Sequence, residues 1–145
     1  MTSGGKQFRF AFTLAELIVV VLIVGILAAA AVPIYRGRID KTKWSEGTAM
    51  MGTIATQIRV WCSEHSAGYS GPFPKTLAEL GFNPGDLTGT YFSDADFTVI
   101  NVISINPLIF TITCTPLTQP DRPRSPSSMT LIANPDGSID WLETF

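Results

Sequence analysis

Glu16 is the residue of this chain that most clearly requires a chemical explanation. It is the only charged side chain between Arg9 and Arg36, and it precedes an uninterrupted apolar stretch from Leu17 to Val32, LIVVVLIVGILAAAAV. An ionised carboxylate is costly in hydrocarbon unless a cation pairs with it, so an acid in such a segment indicates a functional role. The alternative is that it lies among lipid headgroups, where an acid in a first helical turn complements the helix dipole. We identify no partner for it within its own predicted helix.

Cys62, Cys114 and His65 are the other side chains with distinctive chemistry. The spacing of the two cysteines fits neither a CxxC redox motif nor a zinc site. They could form one disulfide in an oxidising compartment, and the alternative is two buried, reduced thiols. His65 is the only histidine of the chain, and we interpret it as a surface residue near a helix end.

Asp86, Asp94 and Asp96 could together supply carboxylate oxygens to a calcium ion. Their positions in turn-rich sequence are explained equally well by turn formation, so we predict no metal site. The sequence also has no phosphate-binding loop, no Ser/His/Asp arrangement with supporting context and no metal-binding helix pair. We therefore predict neither a cofactor nor an enzyme.

A basic group follows the apolar stretch and consists of Arg36, Arg38, Lys41 and Lys43. These residues could contact DNA or lipid headgroups, but they alternate with Asp40 and Glu46, which favours a solvated helix face. The net charge of the chain, −2, indicates no polyanionic partner.

The composition of the 145 residues divides the chain into a membrane segment and one small globular head. With 12–16 added, the apolar stretch reaches roughly 20 residues, about what a helix needs to cross a bilayer. Lys6 and Arg9 precede it, so the positive-inside rule leaves the N-terminus in the cytoplasm and the head across the membrane. The basic group beyond the stretch weakens this charge asymmetry.

The segment Phe12–Leu17, FTLAEL, and the following VVVLIVGILAAAAVPIY resemble type IV pilins and the related pseudopilins of type II secretion. The motif is a phenylalanine, a glutamate four residues later, and an apolar run broken by one glycine and one proline, here Gly25 and Pro33. The resemblance extends from the N-terminus to about Met50.

The resemblance implies a precursor whose leader, residues 1–11, is removed. A prepilin peptidase would cut between Ala11 and Phe12, and the new N-terminal Phe12 would be N-methylated. The family usually has glycine before the cut, and a larger aliphatic residue where this chain has Ala15. Glu16 would then neutralise the N-terminal amine of an adjacent subunit, and Gly25 and Pro33 would belong to the assembling helix.

The partners and location follow from the same resemblance. The subunit would lie in the inner membrane with its head in the periplasm, in contact with lipid, the peptidase/methyltransferase and an inner-membrane assembly platform. It would then form a homo-oligomeric helical filament, either a pilus (fimbrium) at the cell surface or a periplasmic pseudopilus. The closest alternative is a pseudopilin or minor pilin of a type II secretion or DNA-uptake system.

A third interpretation is an ordinary secreted or membrane-anchored domain. The segment ILAAAAVP has small residues at the spacing of a signal-peptidase site. A cut there would start the mature chain at Ala31 or Val32 and discard Glu16. An acid such as Glu16 is, however, unfavourable in the apolar region of a signal peptide.

Apolar residues continue at helical spacing beyond the membrane segment and predict one long helix from about Phe12 to Ser66. Pro33 should kink this helix rather than end it. We predict a filament-core segment over 12–35 and a head over 36–145. The residues expected to share one face of the head helix are Trp44, Gly47, Met51, Ile54, Ile58, Trp61, Cys62 and His65.

A loop is expected over 67–90, with a capping box from Thr76 to Glu79, and a four-stranded antiparallel sheet over 91–145. The predicted class is therefore α+β, with the sheet packed on the head half of the helix. An exposed loop with three prolines, Thr118–Ser128, separates the two predicted hairpins. Cys62 on the helix and Cys114 on a strand occupy faces that should meet, which makes a disulfide between them geometrically plausible. The predicted strand segments are 97–102, 108–114, 129–133 and 138–142.

Overall fold

The computed structural model describes residues 13–65, 69, 71–117 and 119–145, apart from the side chain of Val99. It contains one long helix and a four-stranded antiparallel sheet, which confirms the predicted α+β fold. Two short 3₁₀ turns, Ala78–Leu80 and Asp94–Asp96, lie between them in the chain. The bounds of the main elements are α1 Leu14–His65, β1 Val99–Ile105, β2 Leu108–Cys114, β3 Ser128–Ala133 and β4 Ile139–Thr144.

The chain separates into two compact units at the Arg36–Gly37 peptide bond, and α1 contributes to both. The helix continues through Pro33 without ending, as predicted. The kink expected at that proline stays a prediction. In the first unit, every described residue from Thr13 to Arg36 is exposed.

In the second unit, α1 buries one face. The buried positions recur every three or four residues, as one face of a helix must. Trp61 and His65, which were expected on this face, are only half-buried. The buried residues of α1 are Trp44, Gly47, Met51, Ile54, Ala55, Ile58 and Cys62.

The sheet has the order β1-β2-β3-β4, so each strand is paired with its neighbour in the chain. On the two central strands, alternate side chains enter the core because successive residues of a strand point to opposite faces. Phe110 and Ile112 of β2 lie opposite Ala133 and Leu131 of β3, and all four are buried. These side chains and the buried face of α1 belong to one hydrophobic core.

The start of the sheet and the exposure of its last strand differ from what the sequence suggests. Phe97 does not begin a strand, because it caps the 3₁₀ turn Asp94–Asp96, and β1 starts at Val99. All residues of β4 are exposed, including Trp141, although its backbone partner Leu131 is fully buried. The core therefore reaches across three strands and leaves the fourth largely uncovered.

Cys62 and Cys114 are both buried. The disulfide that their positions made plausible, and the alternative of two reduced thiols, both stay predictions. Burial raises the pKa of both thiols, and the neighbouring Asp96 raises the pKa of Cys114 further. Both sulfurs thus remain protonated and poorly nucleophilic.

Candidate functional site: the glutamate and the exposed apolar helix

Glu16 lies in the first turn of α1 and closes a capping box with Thr13. The carboxylate oxygen Oε2 accepts hydrogen bonds from the Thr13 backbone N–H and hydroxyl, each at 2.9 Å. In return, the Glu16 N–H donates to Thr13 Oγ1 at 3.2 Å. This reciprocal pairing satisfies backbone donors that would otherwise lack a partner at the start of a helix.

This contact corrects the expectation that Glu16 has no partner in its own helix. The signal was present in the sequence, since Thr13-Leu-Ala-Glu16 has the Ser/Thr-x-x-Glu spacing of a capping box. The same motif at Thr76–Glu79 was interpreted in this way, and its reciprocal bonds are present at 3.2 and 3.3 Å. The apolar context drew attention to the charge of Glu16 rather than to its hydrogen-bonding geometry.

The capping box uses one oxygen of the carboxylate. Within the described residues, every hydrogen bond to the Glu16 side chain goes to Oε2, and Oε1 accepts none. The side chain is also solvent-exposed. A capped glutamate can therefore still accept a hydrogen bond from an external cation through Oε1 without giving up its role at the helix N-terminus.

The apolar residues that follow Glu16 form a continuous exposed surface. Leu17, Ile18, Leu22 and Ile26 are each between 57% and 64% exposed, and no residue of the most apolar 18-residue window is buried. By length and composition this part of α1 is suited to cross a membrane. A soluble protein rarely exposes an apolar surface of this extent unless it interacts with lipid or protein.

The structure places the other predicted N-terminal residues as follows. Gly25 and Pro33 both lie within α1, and a Cβ atom built on Gly25 would meet no atom within 4 Å. Ala11 and Phe12, the predicted cleavage and methylation positions, lie outside the described residues.

The three aspartates considered for calcium serve backbone turns. Asp86 accepts from the Asn83 N–H, Asp94 from the N–H groups of Gly85 and Leu87, and Asp96 from the N–H groups of Ser93 and Leu117. Over the described parts of the chain, no group of histidine, cysteine, aspartate and glutamate side chains is arranged to hold a metal ion.

Two residues of the basic group and its surroundings have roles that the sequence did not reveal. Lys43 donates to the backbone carbonyl of Asp121 at 2.6 Å and lies 3.5 Å from its carboxylate. Glu46, expected on a solvated face, accepts from the N–H groups of Tyr91 and Phe92 at 2.9 and 3.1 Å. Through these contacts, both residues connect α1 to loops of the head. No local pattern indicates contacts between residues 45 to 78 positions apart.

His65 remains at the C-terminal end of α1, where its Nδ1 lies 2.8 Å from the carbonyl oxygen of Trp61. Its ring stacks on that of Trp61 with centroids 4.2 Å apart. This contact occupies one ring nitrogen at the helix end, and the side chain is half-buried rather than at the surface as interpreted.

Comparison with known proteins relates part of the chain to bacterial fimbrial subunits. Two type IV major fimbrial proteins FimA of Dichelobacter nodosus, one from strain VCS1703A, are 43% identical to it over 53 residues. A further fimbrial protein of Dichelobacter nodosus is 40% identical over the same length. Each match covers 37% of this chain and 33% of the relative, so the chain spans about a third of the length of the curated relatives it matches. No family model matches the chain, and no solved structure matches it.

Proposed function

We propose that this chain, whose N-terminal motif is that of the type IV pilin family, is a structural subunit of a bacterial type IV pilus. The observation that carries the proposal is the wholly exposed apolar half of α1 with a capped glutamate at its start. The similarity to type IV major fimbrial proteins supports it. In this role the chain acts by polymerising rather than by catalysis.

Before assembly, the apolar half of α1 anchors the precursor in the inner membrane. The basic leader residues Lys6 and Arg9 remain in the cytoplasm, and the head lies in the periplasm. The anchor can leave the bilayer only if another apolar environment replaces the lipid. Equivalent helices of other subunits supply such an environment, with Gly25 and Pro33 in the packed segment.

Processing supplies the partner of Glu16. A prepilin peptidase cuts between Ala11 and Phe12 and the new N-terminus is methylated, which leaves a cationic amine on each mature subunit. Oε1 of Glu16 on one subunit accepts a hydrogen bond from the amine of Phe12 on an adjacent subunit, while Oε2 keeps its bonds to Thr13. Because charge burial is tolerable only in a pair, this contact also fixes the register of the helices.

The second candidate is a pseudopilin or minor pilin of a type II secretion or DNA-uptake system, for which the N-terminal chemistry would be the same. A major pilin should be the most abundant protein of filaments sheared from the cell surface. A pseudopilin or minor subunit should be scarce in that fraction.

The proposal is tested by N-terminal sequencing and intact mass of the mature protein from sheared filaments. We expect a chain that begins at Phe12 and carries one additional methyl group. A mature N-terminus at Ala31 or Val32 would support a secreted domain and overturn the proposal. A start at Phe12 in a protein absent from sheared filaments would favour the second candidate.

A further inference from the structure

A cavity of about 570 Å³ lies in the head beside the loop that connects β2 to β3. The residues that line it include two arginines, Arg122 and Arg124, together with Thr115, Pro123 and Ser127. We name this cavity the arginine cleft. Among the described residues that line it, none carries a carboxylate, although acids outnumber bases by 12 to 10 in the whole chain.

The two arginines differ in how they are held. Arg122 donates from one guanidinium nitrogen to the carbonyl oxygen of Leu117, another lining residue, at 2.7 Å. Arg124 is exposed and, within the described residues, forms no hydrogen bond or ion pair. A guanidinium presents five N–H donors in a planar fork, so both arginines retain donors for an oxyanion.

Two acids associated with this loop, Asp121 and Asp96, are already engaged elsewhere. The Asp121 carboxylate lies 3.5 Å from the ammonium group of Lys43. Asp96 is fully buried beneath the segment that leads into the loop, and its carboxylate accepts from the N–H groups of Ser93 and Leu117 at 2.9 and 2.8 Å. Neither lines the arginine cleft, so both guanidinium groups are available to an external anion.

The walls also suit a ligand larger than an inorganic ion. Pro116 and Pro123 are buried and fix the backbone beneath the cleft, because proline has a single allowed range of φ. Ser127 Oγ donates its proton to the carbonyl oxygen of Thr144 at 2.8 Å, so towards a ligand this oxygen can only accept. Sugar hydroxyls are donors of the required kind, and the cavity volume lies within the range of small-molecule sites.

We propose that the arginine cleft binds a phosphorylated sugar unit. The phosphate oxygens accept from Arg124 and Arg122, and a sugar hydroxyl donates to Ser127. This inference does not depend on the proposed filament role, because every residue involved belongs to the head.

The test measures ribose 5-phosphate binding to the full-length chain, purified in a non-ionic detergent, by isothermal titration calorimetry. Inorganic phosphate and ribose are titrated separately. We expect saturable binding of ribose 5-phosphate that weakens with added salt, weaker binding of phosphate and none of ribose. The variant Arg124→Gln should weaken binding at least about tenfold, as expected for loss of a charged hydrogen bond.

Arg38→Gln is the matched control, since it removes one exposed guanidinium from the head helix outside the cleft. It should leave the affinity unchanged. Circular dichroism should show equal thermal transitions for both variants, which excludes a folding defect. Absence of saturable binding, equal binding of ribose, or equal weakening in both variants would overturn the proposal. Equal affinity for phosphate and ribose 5-phosphate would overturn the sugar contact at Ser127.

Discussion

The two halves of α1 are parts of one continuous helix with opposite surroundings. From Thr13 to Arg36 every side chain is exposed, although most are apolar. From Gly37 to His65 the helix has one buried face and one polar face, and its buried side chains belong to the head core. The second half is therefore stabilised within the subunit, whereas the first half has apolar surface that only lipid or other chains can cover.

The space around one glycine in each half of α1 also differs between the two halves. Gly25 has open space where a Cβ atom would lie. A Cβ atom on Gly47 would lie 2.8 Å from the ring of Phe92, so that glycine is required by a close approach inside the head. Any packing role of Gly25 must instead come from another molecule.

The largest expected effect concerns the first half and is a loss of assembly. Glu16→Gln should abolish filaments, because glutamine can keep the capping geometry with Thr13 but carries no charge to neutralise a neighbouring amine. Leader cleavage and the thermal transition of the head should be unchanged. Electron microscopy of sheared material, together with mass spectrometry of the membrane fraction, measures these outcomes. Filaments of normal number from Glu16→Gln would refute the pairing.

The next effect concerns the stability of the head. Ile58→Ala should lower the free energy of unfolding by about 2–5 kcal/mol, because Ile58 is fully buried and its truncation leaves a cavity. Ile23→Ala makes the same change at a position that is 52% exposed and should leave head unfolding unaltered. Denaturant titration in detergent, followed by tryptophan fluorescence, compares them. Similar losses in both variants would mean that the first half does contribute to head stability.

Smaller changes in the free energy of unfolding, of opposite sign, are expected from alanine substitutions at two glycines of the head. Gly47→Ala should destabilise the head by about 1–3 kcal/mol, because the added methyl group overlaps the ring of Phe92. Gly52→Ala, where no atom lies within 4 Å, should stabilise it by up to about 1 kcal/mol through higher helix propensity. The same denaturant titrations decide the matter, and a neutral Gly47→Ala would show that Phe92 can move.

The smallest expected effect is a loss of head stability at low pH. Hydrogen bonds from Ser138 lower the pKa of Asp136, and hydrogen bonds from Lys75 and Thr76 lower that of Glu79. Each folded-state pKa lies below its unfolded value, so the stabilisation is present near neutral pH and is lost as the pH falls below about 4. Thermal scans from pH 6 to pH 3 should show a decline that Asp136→Asn reduces. An unchanged decline in that variant would contradict the assignment to Asp136.

Periodicity allowed the main elements to be predicted. The 3.6-residue period of the head helix and the two-residue period of β2 follow from which side chains must leave water. Both periods can therefore be recognised in a short stretch of sequence. β2 was predicted with its observed bounds, Leu108–Cys114, and α1 passed through Pro33 as expected. The start of β1 was wrong because the 3₁₀ turn Asp94–Asp96 is stabilised by distant amides, including that of Leu117.

Some features of the candidate site were predicted from the sequence and others were missed. The apolar stretch, its single acid and the resemblance to type IV pilins were readable from residues 12–33 alone. The capping box at Thr13 was also readable but was not recognised. Ala11 and Phe12 lie outside the described residues, so cleavage and methylation rest on the motif.

The sequence by itself determined that one long helix has an apolar first half with a single acid and contributes its second half to an α+β head, because hydrophobicity and its period are properties of consecutive residues. Only the tertiary structure decided that β4 stays uncovered and that Lys43 and Glu46 bind loops far away in the chain. These features depend on how far the core extends and on which backbone amides it brings near a side chain. Neither is encoded in any local pattern.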